Sequence, residues 1–147
     1  RYAMLEKAYM EQKKGRPPML PLWLSPTQVR VIPVTDRFFA EAEKIAEEIS
    51  SYGIRVDWDD RSLTMQRKIR EAEMEWVPYI VVVGQREIES GVLSVRDRRV
   101  SGAERGGEIR KMKLQELVAE IKERTRGKPF KPLSLPMMLS RRPRFYG

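Results

Sequence analysis

The sequence predicts an α/β domain on a mixed, mainly parallel sheet of four to five strands flanked by three helices. Three observations carry this. Short β-branched runs alternate with segments of helical period, a pattern satisfied by parallel strands wound with right-handed crossovers. The run Tyr79 to Val83 is apolar at every position, as burial on both sheet faces demands. The segment after it, Gln85 to Ser90, is too short for a full crossover helix, so the next strand should return antiparallel.

The elements follow in order. Residues 2–14 place Ala3, Met4, Leu5, Ala8, Tyr9 and Met10 between charges and read as an amphipathic helix, stopped by Gly15 and Pro17–Pro18. Arg16 to Pro26 holds four prolines and reads as an extended linker. Val29 to Val34 is the first strand. Asp36 is the expected cap of a helix whose stripe is Phe38, Phe39, Ala42, Ile45, Ala46 and Ile49, stopped at Tyr52–Gly53. Ile54 to Trp58 is the second strand. Ser62 or Thr64 caps a second helix with the stripe Met65, Ile69, Ala72 and Trp76. Pro78 opens the third strand and Gly84 ends it. In the fourth strand, Val92 to Asp97, Val92 and Ser94 alternate with Leu93, Val95 and Asp97, which leaves one face more exposed. Arg98 to Gly107 has turn character. Lys111 to Arg124 is the last helix, with Leu114, Leu117, Val118 and Ile121 inward, stopped by Gly127–Lys128–Pro129.

Composition bounds the function. The 147 residues are 41% hydrophobic and 34% charged, enough for one core under an ionic surface. No apolar run approaches the ~20 residues that span a bilayer, so a membrane role is not expected. Cysteine and histidine are absent. That excludes disulfides, zinc held by thiolates or imidazoles, and catalysis that depends on either residue. It also fits a reducing, cytoplasmic setting. Arg1 at the start suggests a piece of a longer polypeptide. The net charge of +8 is uneven: from Arg126 onward there are six basic residues and no acidic one. Either a nucleic-acid partner or a solubilising tail that packs on another domain accounts for it.

Signatures of chemistry are missing: no glycine-rich nucleotide loop, no phosphate loop, no nucleophile elbow. Asp57, Asp59 and Asp60 resemble a magnesium cluster. The stronger reading keeps Asp57 inside the second strand and uses Asp59–Asp60 to cap the next helix. In open parallel sheets ligands bind outside the carboxyl ends of the strands. Those ends hold Thr35–Asp36, Trp58 to Ser62 and Gly84 to Glu87, which look more like a recognition surface than a catalytic pocket.

In this order the residues become recognisable. Trp23-Leu24-Ser25-Pro26-Thr27-Gln28-Val29-Arg30-Val31-Ile32-Pro33-Val34 resembles the opening of the anticodon-binding domain of class II aminoacyl-tRNA synthetases for threonine, proline, histidine and glycine. Gly53-Ile54-Arg55-Val56, Asp59-Asp60-Arg61, Lys68-Ile69-Arg70-Glu71-Ala72, Pro78-Tyr79-Ile80-Val81-Val82-Val83-Gly84, Glu87 and Val95-Arg96-Asp97-Arg98 follow. The ordered set covers about residues 22–124. The opening, the Lys-Ile-Arg-Glu block and Glu87-Ser90-Gly91 ahead of Val95-Arg96 resemble the threonyl-tRNA synthetase family. The tail, with Lys131-Pro132-Leu133 and Arg141-Arg142-Pro143, is similar to its archaeal members.

The resemblance implies three parts: residues 1–21, the end of a catalytic-core helix and a linker; residues 22–125, the anticodon-binding domain; residues 126–147, a basic tail. The motif around that helix carries an ATP-contacting arginine in the family, and the resemblance leaves open whether Arg1 is that residue. The implied partners are tRNA-Thr and the catalytic domain of the same polypeptide, in a homodimeric parent. ATP and Mg, with Zn as a further possibility, belong to that catalytic domain, and no cofactor to this chain. Threonine anticodons have guanine in the middle and uracil third. Arginine can bind guanine O6 and N7 bidentately, and a carboxylate can accept from N1 and N2. By resemblance Arg96 and Glu87 occupy the positions that do this. The plainer alternatives are an exposed strand arginine and a helix N-terminal acid. Arg70 and Ser62 are the next candidates; bacterial members carry a longer amide where Ser62 stands. Gln66, Arg67 and Arg70 point away from the second helix's apolar stripe, toward RNA or simply toward water. Arg61 and Lys68 are candidates for phosphate contacts. Trp58 and Tyr79 either stack on a base or are core aromatics. An antiparallel fourth strand carries Arg96 away from the edge that holds Glu87 unless residues 85–91 fold back along the sheet. The same domain from a prolyl, glycyl or histidyl enzyme, a non-catalytic nucleic-acid-binding paralogue, and a small-molecule α/β module remain alternatives.

Overall fold

The computed structural model describes residues 21–97, 108–128, 133 and 135–142. The helix expected over residues 2–14, most of the linker and the 98–107 turn lie outside the described residues. Five strands form one sheet: β1 (Val29–Pro33), β2 (Val56–Trp58), β3 (Tyr79–Val83), β4 (Leu93–Asp97) and β5 (Glu108–Met112), in the order β2-β1-β3-β4-β5. The first three run parallel, whereas β4 pairs antiparallel with β3 and β5 antiparallel with β4. The mixed sheet expected from the sequence is therefore present.

Alternation assigns the two faces. One carries Val29, Val31, Val56, Trp58, Tyr79, Val81, Val83, Leu93, Val95 and Met112. Helix α1 (Phe39–Ser50) covers it with Ala42, Ala46 and Ile49, and helix α4 (Leu114–Arg124) with Leu117, Val118 and Ile121. The other face is covered over β1 and β3 by helix α2 (Met65–Met74), which packs Ile69 and Ala72 on Ile32 and Ile80. That second cluster takes nothing from β4 or β5, so among the described residues half of this face stays open. A six-residue helix, α3 (Gln85–Ser90), closes the β3–β4 connection, and Gly91 at φ 73° ends it in the left-handed region that glycine tolerates.

Several expectations are corrected. Asp36 opens a 3₁₀ turn, Asp36–Phe38, and α1 begins after it with no side-chain cap at either start. Of the two cap candidates for α2, Thr64 serves: its Oγ1 accepts from the Arg67 N–H at 3.2 Å. Asp59 and Asp60 do not cap that helix. Trp76 is not on the α2 stripe, because the helix ends at Met74; Trp76 is 41% exposed with φ 60°. The last helix starts at Leu114, not Lys111, because Glu108–Met112 pairs with β4 as a strand.

Two ionic clusters tie the layers. Arg30 is fully buried, bonded through Nε and Nη2 to Asp57 at 2.9 and 3.0 Å and through Nη1 and Nη2 to Glu75 at 2.9 and 3.0 Å. This fastens β1 to β2 and to the end of α2. Burial works against the charge, but the two carboxylates outweigh it and hold the guanidinium pKa above its ordinary value. On the opposite face the Tyr79 hydroxyl donates to Glu120 at 2.5 Å, while Arg110 bridges Glu120 and Asp97. Burial, then the bond to Glu120, push the phenol up. Tyr79 and Trp58 are thus core aromatics, 0% and 3% exposed.

The C-terminal segment docks along β2. The Trp58 N–H donates to the Met137 carbonyl at 3.0 Å, and Trp58 pairs parallel with Met138. Leu139 is buried, and Ser140 donates its N–H and hydroxyl to Asp60 at 2.8 and 2.6 Å. Arg142 Nη2 lies 2.8 Å from Asp57 without hydrogen-bond alignment. A sheet edge that would template foreign strands is covered in this way. No helix among the described residues is long and apolar enough to cross a membrane.

Candidate nucleic-acid interface

The open half of the sheet face is set by register. Arg30, Ile80, Arg96 and Ile109 stand in one row across β1, β3, β4 and β5; Val82, Ser94 and Lys111 stand in the next. Under α2 the row begins with the buried Arg30 and Ile80. Beyond it Ser94 and Arg96 are half-buried, Lys111 is exposed and Ile109 is 54% exposed. Arg96 makes no hydrogen bond or ion pair among the described residues, so its planar fork of donors is free.

Helix α3 resolves the tension over Glu87 and Arg96. It folds back along the sheet, and the Ser94 hydroxyl donates to Glu87 Oε2 at 2.9 Å. Arg96 follows Ser94 on the same face of β4, about 7 Å along the strand. The Glu87 carboxylate and the Arg96 side chain therefore lie toward the same face of the sheet, with Ser94 as the Glu87 contact. Glu87 also does what the plainer alternative says, since its Oε1 accepts from the Gly84 N–H at 2.7 Å at the start of α3. A carboxylate has about four acceptor sites, so both roles fit one side chain. Glu87, Arg86, Glu89, Ser90, Val92 and Lys111 line a shallow depression at this rim.

The remaining candidates divide. Arg70 is exposed on α2, unpaired among the described residues, and lines a second depression with Arg67, Glu71, Met74 and Glu75. Ser62 is exposed in the β2–α2 loop. Arg67 pairs with Glu71 at 3.1 Å. The structure removes Lys68 from the phosphate-contacting surface: it is 2% exposed, its ammonium donates to the Asp59 carbonyl at 3.1 Å and lies 5.2 Å over the Phe39 ring, and burial lowers its pKa. Arg61 is also engaged, bidentate to Asp59 at 2.9 and 2.7 Å and bonded to Glu71 at 2.8 Å. These bonds, the one to Asp59 foremost, raise its pKa. A phosphate contact by Arg61 requires giving up carboxylates it already holds.

The acidic trio does not fit a metal. Asp57 is bonded to Arg30 and Thr27, Asp59 to Arg61, and Asp60 to Ser140, with the three carboxylates turned to different partners. No group of three ligating side chains occurs among the described residues. Sequence reasoning missed Ser94, Ile109 and Lys111 as occupants of the open face. The alternation of β4 already puts Ser94 on the Arg96 side; Ile109 and Lys111 become visible only once β5 is recognised as a strand.

Comparison with known proteins gives a consistent result. The model of the anticodon binding domain family matches residues 28–124. The chain is 48% identical over 144 residues to the threonine–tRNA ligase of Methanosarcina mazei, covering 98% of this chain and 22% of that protein. It is 49% identical over 146 residues to the Pyrococcus horikoshii threonine–tRNA ligase, covering 99% of this chain and again 22% of that protein. The chain therefore spans about a fifth of the length of these relatives. Among solved structures, the RNA binding domain of threonyl-tRNA synthetase from Cryptosporidium parvum Iowa II is similar with a TM-score of 0.63 at 24% identity, over 77% of this chain and 26% of that one. That likeness shows the fold.

Proposed function

Because the chain belongs to the anticodon binding domain family, we propose that it reads the tRNA-Thr anticodon on behalf of an archaeal-type threonine–tRNA ligase. The observation that supports the reading is the open half-sheet, where Arg96, unpaired among the described residues, shares a face of β4 with Ser94, whose hydroxyl donates to the rim carboxylate of Glu87. A tRNA anticodon is single-stranded, so its bases can be splayed out and read on their edges. Arg96 takes O6 and N7 of the middle guanine, and Glu87 accepts from its N1 and N2 groups. One bidentate contact is worth ~1–3 kcal/mol of discrimination. Arg70 approaches the loop from α2, and Ser62 stands where the third base, uracil, reaches the carboxyl end of β2. The chain supplies recognition and no bond-making group.

The parent activates threonine with ATP and magnesium in a catalytic domain that residues 1–21 join to this one, acts in the cytoplasm, and is a homodimer. Sequence identity to two threonine–tRNA ligases over nearly the whole chain favours threonine over proline, glycine or histidine. A panel of the four cognate tRNAs tests the assignment. The chain should bind tRNA-Thr most tightly, with affinity falling steeply as salt rises. Preference for another tRNA of the panel reassigns the domain, and salt-independent binding removes the RNA reading.

A further inference from the structure

The open half-sheet carries a directed polar chain. The Lys111 ammonium donates to Ser94 Oγ at 2.8 Å, and Ser94 Oγ lies 2.9 Å from Glu87 Oε2. The β4–β5 register sets Lys111 directly across from Ser94. An ammonium only donates, and a hydroxyl has one proton. With its lone pairs facing Lys111, Ser94 must direct that proton to Glu87. The other carboxylate oxygen, Oε1, is held by the Gly84 N–H. Glu87 is thereby fixed at both oxygens, one acceptor site used on each and one left on each. A guanine edge offers two donors, N1–H and N2–H, one for each free site.

We propose that Ser94 and Lys111 are positioning residues for base discrimination: they lock the Glu87 carboxylate in the orientation that accepts a guanine edge. This rests on the base-reading role of Glu87 argued above. Without Ser94 the carboxylate keeps only the Gly84 contact and turns about its terminal torsion, which is broad and weakly restrained in Glu. Without Lys111 the serine hydroxyl is free to turn and donate its proton elsewhere. A role confined to starting α3 predicts something different, namely lost stability with base preference intact.

The test compares this chain with Glu87→Gln, Ser94→Ala, Ser94→Thr and Lys111→Met. The probes are a tRNA-Thr transcript and the same transcript with the middle guanine replaced by adenine, which lacks the N1 and N2 donors. The readout is the ratio of the two affinities, with thermal unfolding recorded for every variant. Ser94→Ala should lower the ratio about tenfold, the worth of one hydrogen bond to a charged group, while affinity for the adenine transcript holds. Ser94→Thr, which keeps the hydroxyl, should restore it. Lys111→Met should lower the ratio in the same direction, and because Lys111 is exposed it leaves the fold intact. Should wild type discriminate and Glu87→Gln not, while Ser94→Ala and Lys111→Met keep the wild-type ratio, the positioning role is overturned and base reading by Glu87 survives. Should wild type bind both transcripts alike, the base reading fails and the positioning role with it.

Discussion

Replacing Arg30 by methionine should destabilise the domain by about 3–4 kcal/mol, and the reason is local. The side chain is fully buried and makes four hydrogen bonds, two to Asp57 and two to Glu75. Methionine keeps much of the stem's volume, so packing changes little and the loss is mainly electrostatic. Asp57 stays 0% exposed, with Thr27 and the misaligned Arg142 as its remaining side-chain neighbours among the described residues. Removing one partner of a buried pair costs ~3–5 kcal/mol because the other charge is stranded. Those two contacts to Asp57 hold the result toward the lower end. The Glu75 side chain is 52% exposed, so solvent screens its half of the network and Glu75→Gln should cost less than ~1 kcal/mol. At ~2–4 °C per kcal/mol for a domain near this size, Arg30→Met lowers Tm by roughly 10 °C. Guanidinium unfolding followed by circular dichroism gives the comparison, with the m-value as a check on two-state behaviour. A cost for Arg30→Met below that of Glu75→Gln would refute the reasoning, because burial of Asp57 would then not be what makes the pair matter.

Two further outcomes follow from the local packing and charge. A Cβ at Gly84 would meet Val34 Cγ2 at 2.8 Å and Glu87 Oε1 at 3.1 Å. Gly84→Ala should therefore cost ~1–3 kcal/mol by overpacking and reduce base preference more than overall tRNA affinity, as equilibrium unfolding and paired binding titrations will read. The Arg110 hydrogen bond, joined by Tyr79 and Arg124 and opposed by burial, holds the Glu120 carboxyl below its ordinary range. A depressed folded-state pKa contributes stability above the unfolded value of about 4.5 that is lost as pH falls through the folded value. Tm should decline on acidification below about pH 4.5, and Glu120→Gln should flatten that decline; an unchanged acid limb in the variant contradicts the assignment.

Much of the fold was legible because its signals are local. The apolar run of β3, the helical stripe of α1 and the short β3–β4 connection each follow from sequence spacing, and together they give the parallel core with an antiparallel return. The missing strand, β5, had no such signal. Glu108–Met112 is three charges around Ile109 and Met112, and Ile109 faces solvent; only pairing with β4 makes it a strand, and such pairing is decided far away in sequence. Two charged side chains misled for a related reason. Lys68 sits among polar helix residues, yet its stem is buried and its ammonium finishes on the Asp59 carbonyl, an acceptor nine residues earlier that no helical period reveals. Trp76 fits the α2 period but lies past the helix end. At the candidate site, Glu87 and Arg96 are candidates through family resemblance and not through chemistry. What brings the Glu87 carboxylate to the Ser94 side of β4 is the folding back of α3, for which the sequence sign was the brevity of residues 85–91.

The most direct measurement is the affinity of this chain for tRNA-Thr against a transcript with only the middle anticodon base changed, repeated with Arg96→Ala. A guanine read on its edge predicts tighter binding of the unchanged transcript by about ten- to a hundredfold, the worth of one bidentate contact, and collapse of that difference in the variant. Equal affinities for the two transcripts, or a difference that survives loss of Arg96, would contradict it.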